Sequence, residues 1–235
     1  MTRVGLLHTV PALAETFSTA LSEASPQLEV IDTVDPELLA TAIREGVTPA
    51  LTAAVAERID DLVSRGADAV LVTCSSIGEA AEEASAPVPV LRVDAPMADE
   101  AVSIARTVAR AEARNGRIAV LATLQATVGP TGRLLERAAA GSDVDVDVTV
   151  VDGAADARAG GNQAEHDRLV LDAVEEFAER ADVIVLAQAS MAGALSGAEI
   201  PVPVLTSPAG GVRSLLAAVT RPSDSAPGVG NAGAE

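Results

Sequence analysis

The chain has 235 residues, 49% of them apolar, and a formal charge of −18 at neutral pH. That is enough apolar material for one large domain or two small ones with real cores, while the excess of acid repels nucleic-acid phosphates and anionic membrane surfaces. All 16 basic residues are arginine, which excludes a lysine Schiff base and a phosphate-loop lysine, and Cys74, His8 and His166 are too few for a disulfide or a cysteine-built metal site.

In chain order, residues 4–14 read as a strand and its exit, because His8 and Pro11 interrupt what would otherwise pass for a signal-peptide core. Apolar residues at three- and four-residue steps predict a helix over 49–65. A strand over 67–73 ends at Cys74-Ser75-Ser76, and a second one spans 88–93, with Asp94 after it expected to cap the next helix. That helix, over about 98–113, leads into a strand over 117–123. A helix over 164–180 follows, with Leu169, Val170, Ala173, Val174 and Phe177 as its buried stripe and His166 expected to face solvent among Glu165, Asp167 and Arg168. A strand over 181–187 then ends at Gln188, and a helix over about 211–219 closes the fold. The tail 221–235, rich in Gly, Pro, Ala and Ser, reads as disordered. No apolar run approaches the roughly 18 to 20 residues of a membrane span, and Phe177 and Phe17, the two aromatics, offer no platform for stacking bases.

A shift of 114 residues brings separated segments into match. Arg3-Val4-Gly5-Leu6-Leu7-His8-Thr9 falls on Arg117-Ile118-Ala119-Val120-Leu121-Ala122-Thr123, and Ala67-Asp68-Ala69-Val70-Leu71-Val72-Thr73-Cys74 falls on Ala181-Asp182-Val183-Ile184-Val185-Leu186-Ala187-Gln188. The same pentapeptide then recurs in register, Pro87-Val88-Pro89-Val90-Leu91 and Pro201-Val202-Pro203-Val204-Leu205. The expected fold class is therefore α/β: two pseudo-symmetric, doubly wound, flavodoxin-like parallel-sheet halves related by an internal duplication. The first half is assigned to 1–97, completed by the helix near 211–219, and the second to 98–210.

In such sheets ligands bind beyond the carboxyl ends of the strands, so the candidates are strand-end residues. They are His8, Thr9, Thr73, Cys74, Ser75 and Ser76 from one half, with Asp94 as a further candidate whose helix-capping role is the preferred one, and Thr123, Gln125, Thr127, Gln188, Ala189 and Ser190 from the other. Hydroxyls and free backbone N–H groups at Ser75 and Ser76 suit a small anion, and a helix start there would lower the Cys74 pKa and expose a thiolate. A lone strand-end cysteine is by default a small buried hydrophobe; the duplication and the flanking serines favour a functional one. Thr123 and Thr127 are either turn residues or ligand contacts, and Gln188 is a ligand-orienting amide or a relic.

Val72-Thr73-Cys74-Ser75-Ser76, the strand end Ala122-Thr123-Leu124-Gln125-Ala126-Thr127 and the duplicated layout resemble the aspartate/glutamate racemase superfamily, which includes amino-acid and hydantoin racemases, maleate isomerase and arylmalonate decarboxylase. The resemblance covers the chain to about residue 219. It implies a cofactor-free enzyme in which two cysteines exchange a proton on opposite faces of a carbon beside a carboxylate or carbonyl. Cys74 matches the first thiol, but Gln188 stands at the second and cannot carry a proton. His8 stands where the family's glutamate racemases have an acidic residue, and is the candidate second acid or base.

The expected function is therefore that of an isomerase or racemase-type enzyme using Cys74 on a small carboxylate, with His8 as its partner and Thr9, Ser75, Ser76, Thr123, Gln125, Thr127, Gln188, Ala189 and Ser190 contacting substrate. A one-cysteine decarboxylase or lyase and a non-catalytic carboxylate-binding protein are the alternatives. No cofactor, metal, nucleic acid or membrane is expected as partner, a homodimer or higher homo-oligomer is the default assembly, and a single cysteine suits the reducing cytoplasm. A nucleotide site is disfavoured because no Gly-rich turn follows Leu7 or Leu121.

Overall fold

The computed structural model describes residues 2–220. The first half runs β1 (Arg3–His8), α1 (Pro11–Ala24), β2 (Glu29–Val34), α2 (Pro36–Glu45), α3 (Pro49–Ser64), β3 (Ala69–Val72), a 3-10 turn at Ser75–Ile77, α4 (Gly78–Glu83) and β4 (Val90–Arg92). The second half follows with α5 (Ala95–Glu112), β5 (Gly116–Ala122), α6 (Gln125–Ala139), β6 (Val144–Val150), α7 (Ala154–Ala159), α8 (Gln163–Ala178), β7 (Val183–Leu186), a 3-10 segment at Ala189–Leu195, β8 (Val204–Thr206) and α9 (Ser207–Thr220). The assigned tail 221–235 lies outside the described residues.

The two parallel sheets have the same strand order, β2-β1-β3-β4 and β6-β5-β7-β8. The duplication reaches individual hydrogen bonds. Asp68 accepts the backbone N–H of Arg3 at 2.8 Å, and Asp182 accepts that of Arg117 at 2.8 Å. The repeated Pro-Val-Pro-Val-Leu has a common cause in both halves. It opens an edge strand, where a proline's missing N–H breaks no ladder, and the carbonyls of Pro89 and Pro203 each accept a central-strand N–H, from Val70 and Ile184, at 2.9 Å.

Each sheet is covered on both faces, as its continuous apolar strands require. In β1, Val4 and Leu6 pack with Phe17 and Leu21 of α1 and Val212 and Leu215 of α9, while Leu7 turns to Val55, Ile59 and Leu62 of α3. In β5, Ile118 and Val120 face Ala101, Ala105 and Leu135, while Ala119 and Leu121 face Val170, Val174 and Phe177. The last helix thus returns to the first sheet, and α5 is the bridge by which the chain crosses to the second.

Two local readings are corrected. His166 is fully buried, not solvent-facing, and its Nδ1 donates to the Ala154 carbonyl at 3.0 Å, tying α8 to α7. Asp94 occupies the N-cap position of α5 but its side chain makes no cap hydrogen bond; a buried arginine claims the carboxylate instead.

Gly116 opens β5 directly against α5, where a Cβ would overlap the carbonyl of Ala105. Gly116→Ala is expected to destabilise the protein by about 1–3 kcal/mol, measured as a lowered urea midpoint with an unchanged slope.

Candidate active site

In each sheet the strand order reverses direction around the first central strand, so the carboxyl ends of β1 and β3, and of β5 and β7, stand at a switch point with open space beyond them. These two strand-end pairs share one cavity of about 330 Å³, a size suited to a small ligand. Thr9, Thr73 and Cys74 enter it from the first half, and Thr123 and Gln188 from the second. Ser75, Ser76, Ala189 and Ser190, from the turns that follow β3 and β7, complete the strand-end set.

Cys74 immediately precedes the 3-10 turn. It keeps some contact with solvent through the cavity but is otherwise enclosed by protein. That burial pushes the thiol above its ordinary range, against the pull of the neighbouring Thr9 hydroxyl, the backbone N–H groups of Ser76 and Ile77 and the Ser76 hydroxyl, which favour the thiolate. The expectation of an activated thiolate is therefore corrected: a 3-10 turn followed by a six-residue helix offers too little field to outweigh desolvation.

Gln188 is held in a defined orientation. Its Oε1 accepts the backbone N–H of Thr123 at 2.8 Å, so the amide NH₂ is the end left for a ligand.

His8, Gln125 and Thr127 do not line the cavity. His8 is the last residue of its strand and is wholly buried behind the strand ends, with its ring 5.9 Å from that of Phe17. Its Nδ1 lies 2.8 Å from the Thr73 hydroxyl, which also meets the Leu7 carbonyl at 3.1 Å. The imidazole is thus turned to Thr73, not to a ligand in the cavity. Gln125, the first residue of α6, points to solvent. Thr127 is buried and meets the Ser76 hydroxyl at 2.9 Å, a contact that joins the two halves.

That contact belongs to a larger seam. Arg92, at the end of β4, grips Asp94 through two hydrogen bonds of 2.8 and 2.9 Å, both side chains being buried, and also donates to Glu82 at 3.1 Å and to the Pro130 carbonyl of α6 at 3.3 Å. Gly78 makes room for the guanidinium; a Cβ there would lie 2.7 Å from it. Outside this pair, Arg133 binds Glu79 with two 2.6 Å bonds and Arg137 binds Glu82 at 2.8 Å.

Several lining residues were not among the candidates drawn from the sequence. Val10, Leu13, Leu39, Ile43 and Leu124 form apolar walls, and Ala155, Arg158 and Ala159 come from α7. The i, i+4 spacing of Leu39 and Ile43 on a helix beside the switch point was the available clue; for Arg158 there was none. Among the described residues, Arg158 is the one charged residue lining the cavity. Its Nη1 reaches the Ser190 carbonyl at 3.4 Å, and it has no salt-bridge partner among the described residues. No cluster of three His, Cys, Asp or Glu side chains able to hold a metal occurs among the described residues.

Two matching α/β lobes with a thiol at the strand-end crevice between them define a racemase-type fold. The family model described as Asp/Glu/Hydantoin racemase matches residues 7–215, and the chain belongs to that family. Comparison with curated proteins gives no match. Among solved structures, the aspartate racemase of Picrophilus torridus is similar with a TM-score of 0.70 at 16% identity, over 92% of this chain and 94% of that one. A glutamate racemase isoform of Bacillus anthracis gives 0.68 at 16% identity, over 92% and 80%. The allantoin racemase of Klebsiella pneumoniae gives 0.61 at 18% identity, over 93% and 88%. No helix among the described residues is long and apolar enough to cross a membrane.

Three outcomes are expected here. Asp94→Ala leaves the Arg92 guanidinium buried without its main partner, and a loss of about 3–5 kcal/mol in urea unfolding is expected. Alkylation of native Cys74 by iodoacetamide should show a midpoint above the ordinary thiol value of about 8.5, falling to that value once the chain is unfolded. Because the native thiol keeps its proton where the unfolded one has lost it, stability should decline as pH rises past that ordinary value, and Cys74→Ala should remove this part of the decline.

Proposed function

We propose that this protein is a cofactor-independent, single-thiol enzyme that moves a proton on one face of a carbon beside a carboxylate. The observation that carries this reading is the pairing of Cys74 with Gln188. The first strand-end position holds a thiol in the cavity, and the equivalent second one holds an amide fixed by Thr123. Two-thiol racemisation needs a proton carrier on each face of the carbon, and His8, the expected substitute, is walled off behind Thr73.

In this reading the polar strand ends hold the carboxylate. The Gln188 NH₂ and the hydroxyls of Ser75 and Ser190 donate to its oxygens as charge develops there in an enediolate-like state. A thiol that burial keeps protonated acts most simply as a donor. This favours the lyase direction as the second reading: a carbon–carbon bond to a leaving carboxylate breaks as carbon dioxide departs, its electron pair stays on the α-carbon, and the Sγ–H proton is delivered there. The resulting thiolate recovers a proton from water. The hydroxyl of Thr9, which is buried without a hydrogen-bond partner of its own, stands ready to donate to that thiolate. A cytoplasmic location and a homodimeric assembly complete the proposal.

The test is turnover in D₂O with amino acids and α-substituted malonates, followed by NMR and chiral chromatography. Deuterium is expected at the α-carbon of one enantiomer without inversion, and Cys74→Ala should lower the rate by about 10²-fold or more. Inversion as fast as exchange, or full activity in Cys74→Ala, would sink the single-thiol mechanism. Absence of any exchange would move the reading to a carboxylate-binding protein.

A further inference from the structure

The cleft's backbone frame is duplicated, as are the lining pairs Thr9 with Thr123 and Ser76 with Ser190, but its two helical flanks are not. Helix α2 follows β2 and helix α7 follows β6, so the two occupy equivalent places in their sheets. Each presents an i, i+4 pair to the cavity. From α2 the pair is Leu39 and Ile43; from α7 it is Ala155 and Ala159, with Arg158 beside them. One flank is therefore bulky and apolar, and Leu13 extends it, while Val10 has an equally apolar counterpart, Leu124, in the second half. The other is small and carries the cavity's single charge. Ile43 is 52% exposed, and with Val34 at 40% it is one of two large apolar side chains left open to solvent among the described residues, both on the β2–α2 side of the crevice.

From this asymmetry we infer that the substrate is a monocarboxylate, or a compound with a single retained carboxylate, whose α-carbon bears an apolar alkyl or aryl group. Arg158 supplies the counter-charge for the carboxylate, and Leu39 and Ile43 receive the substituent. The inference rests on the reading of this cavity as a carboxylate site. A substrate with a charged side chain does not fit. Its second carboxylate would have to be taken from water and laid against Leu39, Ile43, Val10 and Leu13 with no cation there to receive it, whereas an alkyl or aryl group gains from the same burial. Although the chain is strongly acidic overall, no Asp or Glu among the described residues lines the cavity, so none of them cancels the Arg158 charge within it.

The experiment measures protection of Cys74 from iodoacetamide, with the ligand-induced rise in melting temperature as a second readout that needs no turnover. The probes are 2-phenylpropionate and methylsuccinate, which share an α-substituted carboxylate and differ in whether the substituent is apolar or charged. The expected result is half-protection by 2-phenylpropionate at a concentration lower by about tenfold or more than by methylsuccinate. Ile43→Asn, at an exposed position that folding does not depend on, should erase most of that difference, and Arg158→Met should weaken both probes. Stronger protection by methylsuccinate would overturn the apolar-substituent inference and leave the carboxylate reading standing. Protection by neither acid would overturn both.

Discussion

The buried ion pair of Arg92 with Asp94 is the interaction on which the rest of the site depends. A guanidinium out of water is tolerable only when its donors are spent, and Arg92 spends them on Asp94, Glu82 and the Pro130 carbonyl. Asp94 begins the helix that carries the chain to the second half, Glu82 lies in the helix after the cysteine turn, and Pro130 belongs to the facing lobe. One side chain therefore couples the three segments that set the width of the crevice. The Ser76–Thr127 contact lies along the same seam, and Ser76 is also one of the groups directed at the thiol. The position of Cys74 thus depends on how the halves are joined, not only on its own strand.

Burial and charge oppose one another in the cavity. The chain is surrounded by its own negative surface, yet the space between the lobes is lined by apolar groups, hydroxyls, amides and one arginine. Desolvation holds the thiol in its protonated form, while four hydrogen-bonding groups from Thr9, Ser76 and Ile77 would stabilise the thiolate once formed. A group poised in this way suits transient proton donation better than resting nucleophilicity.

The two halves show how far a duplication constrains chemistry. Backbone bonds persist in register, as with Arg3 and Asp68 against Arg117 and Asp182, because they build the sheet. Thr9 and Ser76 keep their counterparts Thr123 and Ser190 in the cavity, but other side chains that reach it have diverged: Cys74 against Gln188, Leu39 and Ile43 against Ala155 and Ala159. His8 diverged as well, standing in the register of Ala122, but it was absorbed into the packing behind the strand ends.

Much of the architecture was legible in the sequence because its causes are local and repeated. Continuous apolar runs specify strands covered on both faces, prolines mark where edge strands begin, and the shift of 114 residues requires both halves to fold alike. The strand-end rule placed Thr9, Cys74, Ser75, Thr123, Gln188 and Ser190 at the crevice, and the structure brings them together. Tertiary structure alone decided which strand-end residues face the space and which face protein. His8 and Thr127 sit at equally plausible positions in the sequence, and each is consumed by a neighbour more than fifty residues away along the chain, Thr73 in one case and Ser76 in the other. The same holds for Arg158 and for the raised thiol pKa. Charge placement within a cleft and the desolvation of a buried group depend on what the fold assembles around them, and one-dimensional spacing carries no record of that surrounding.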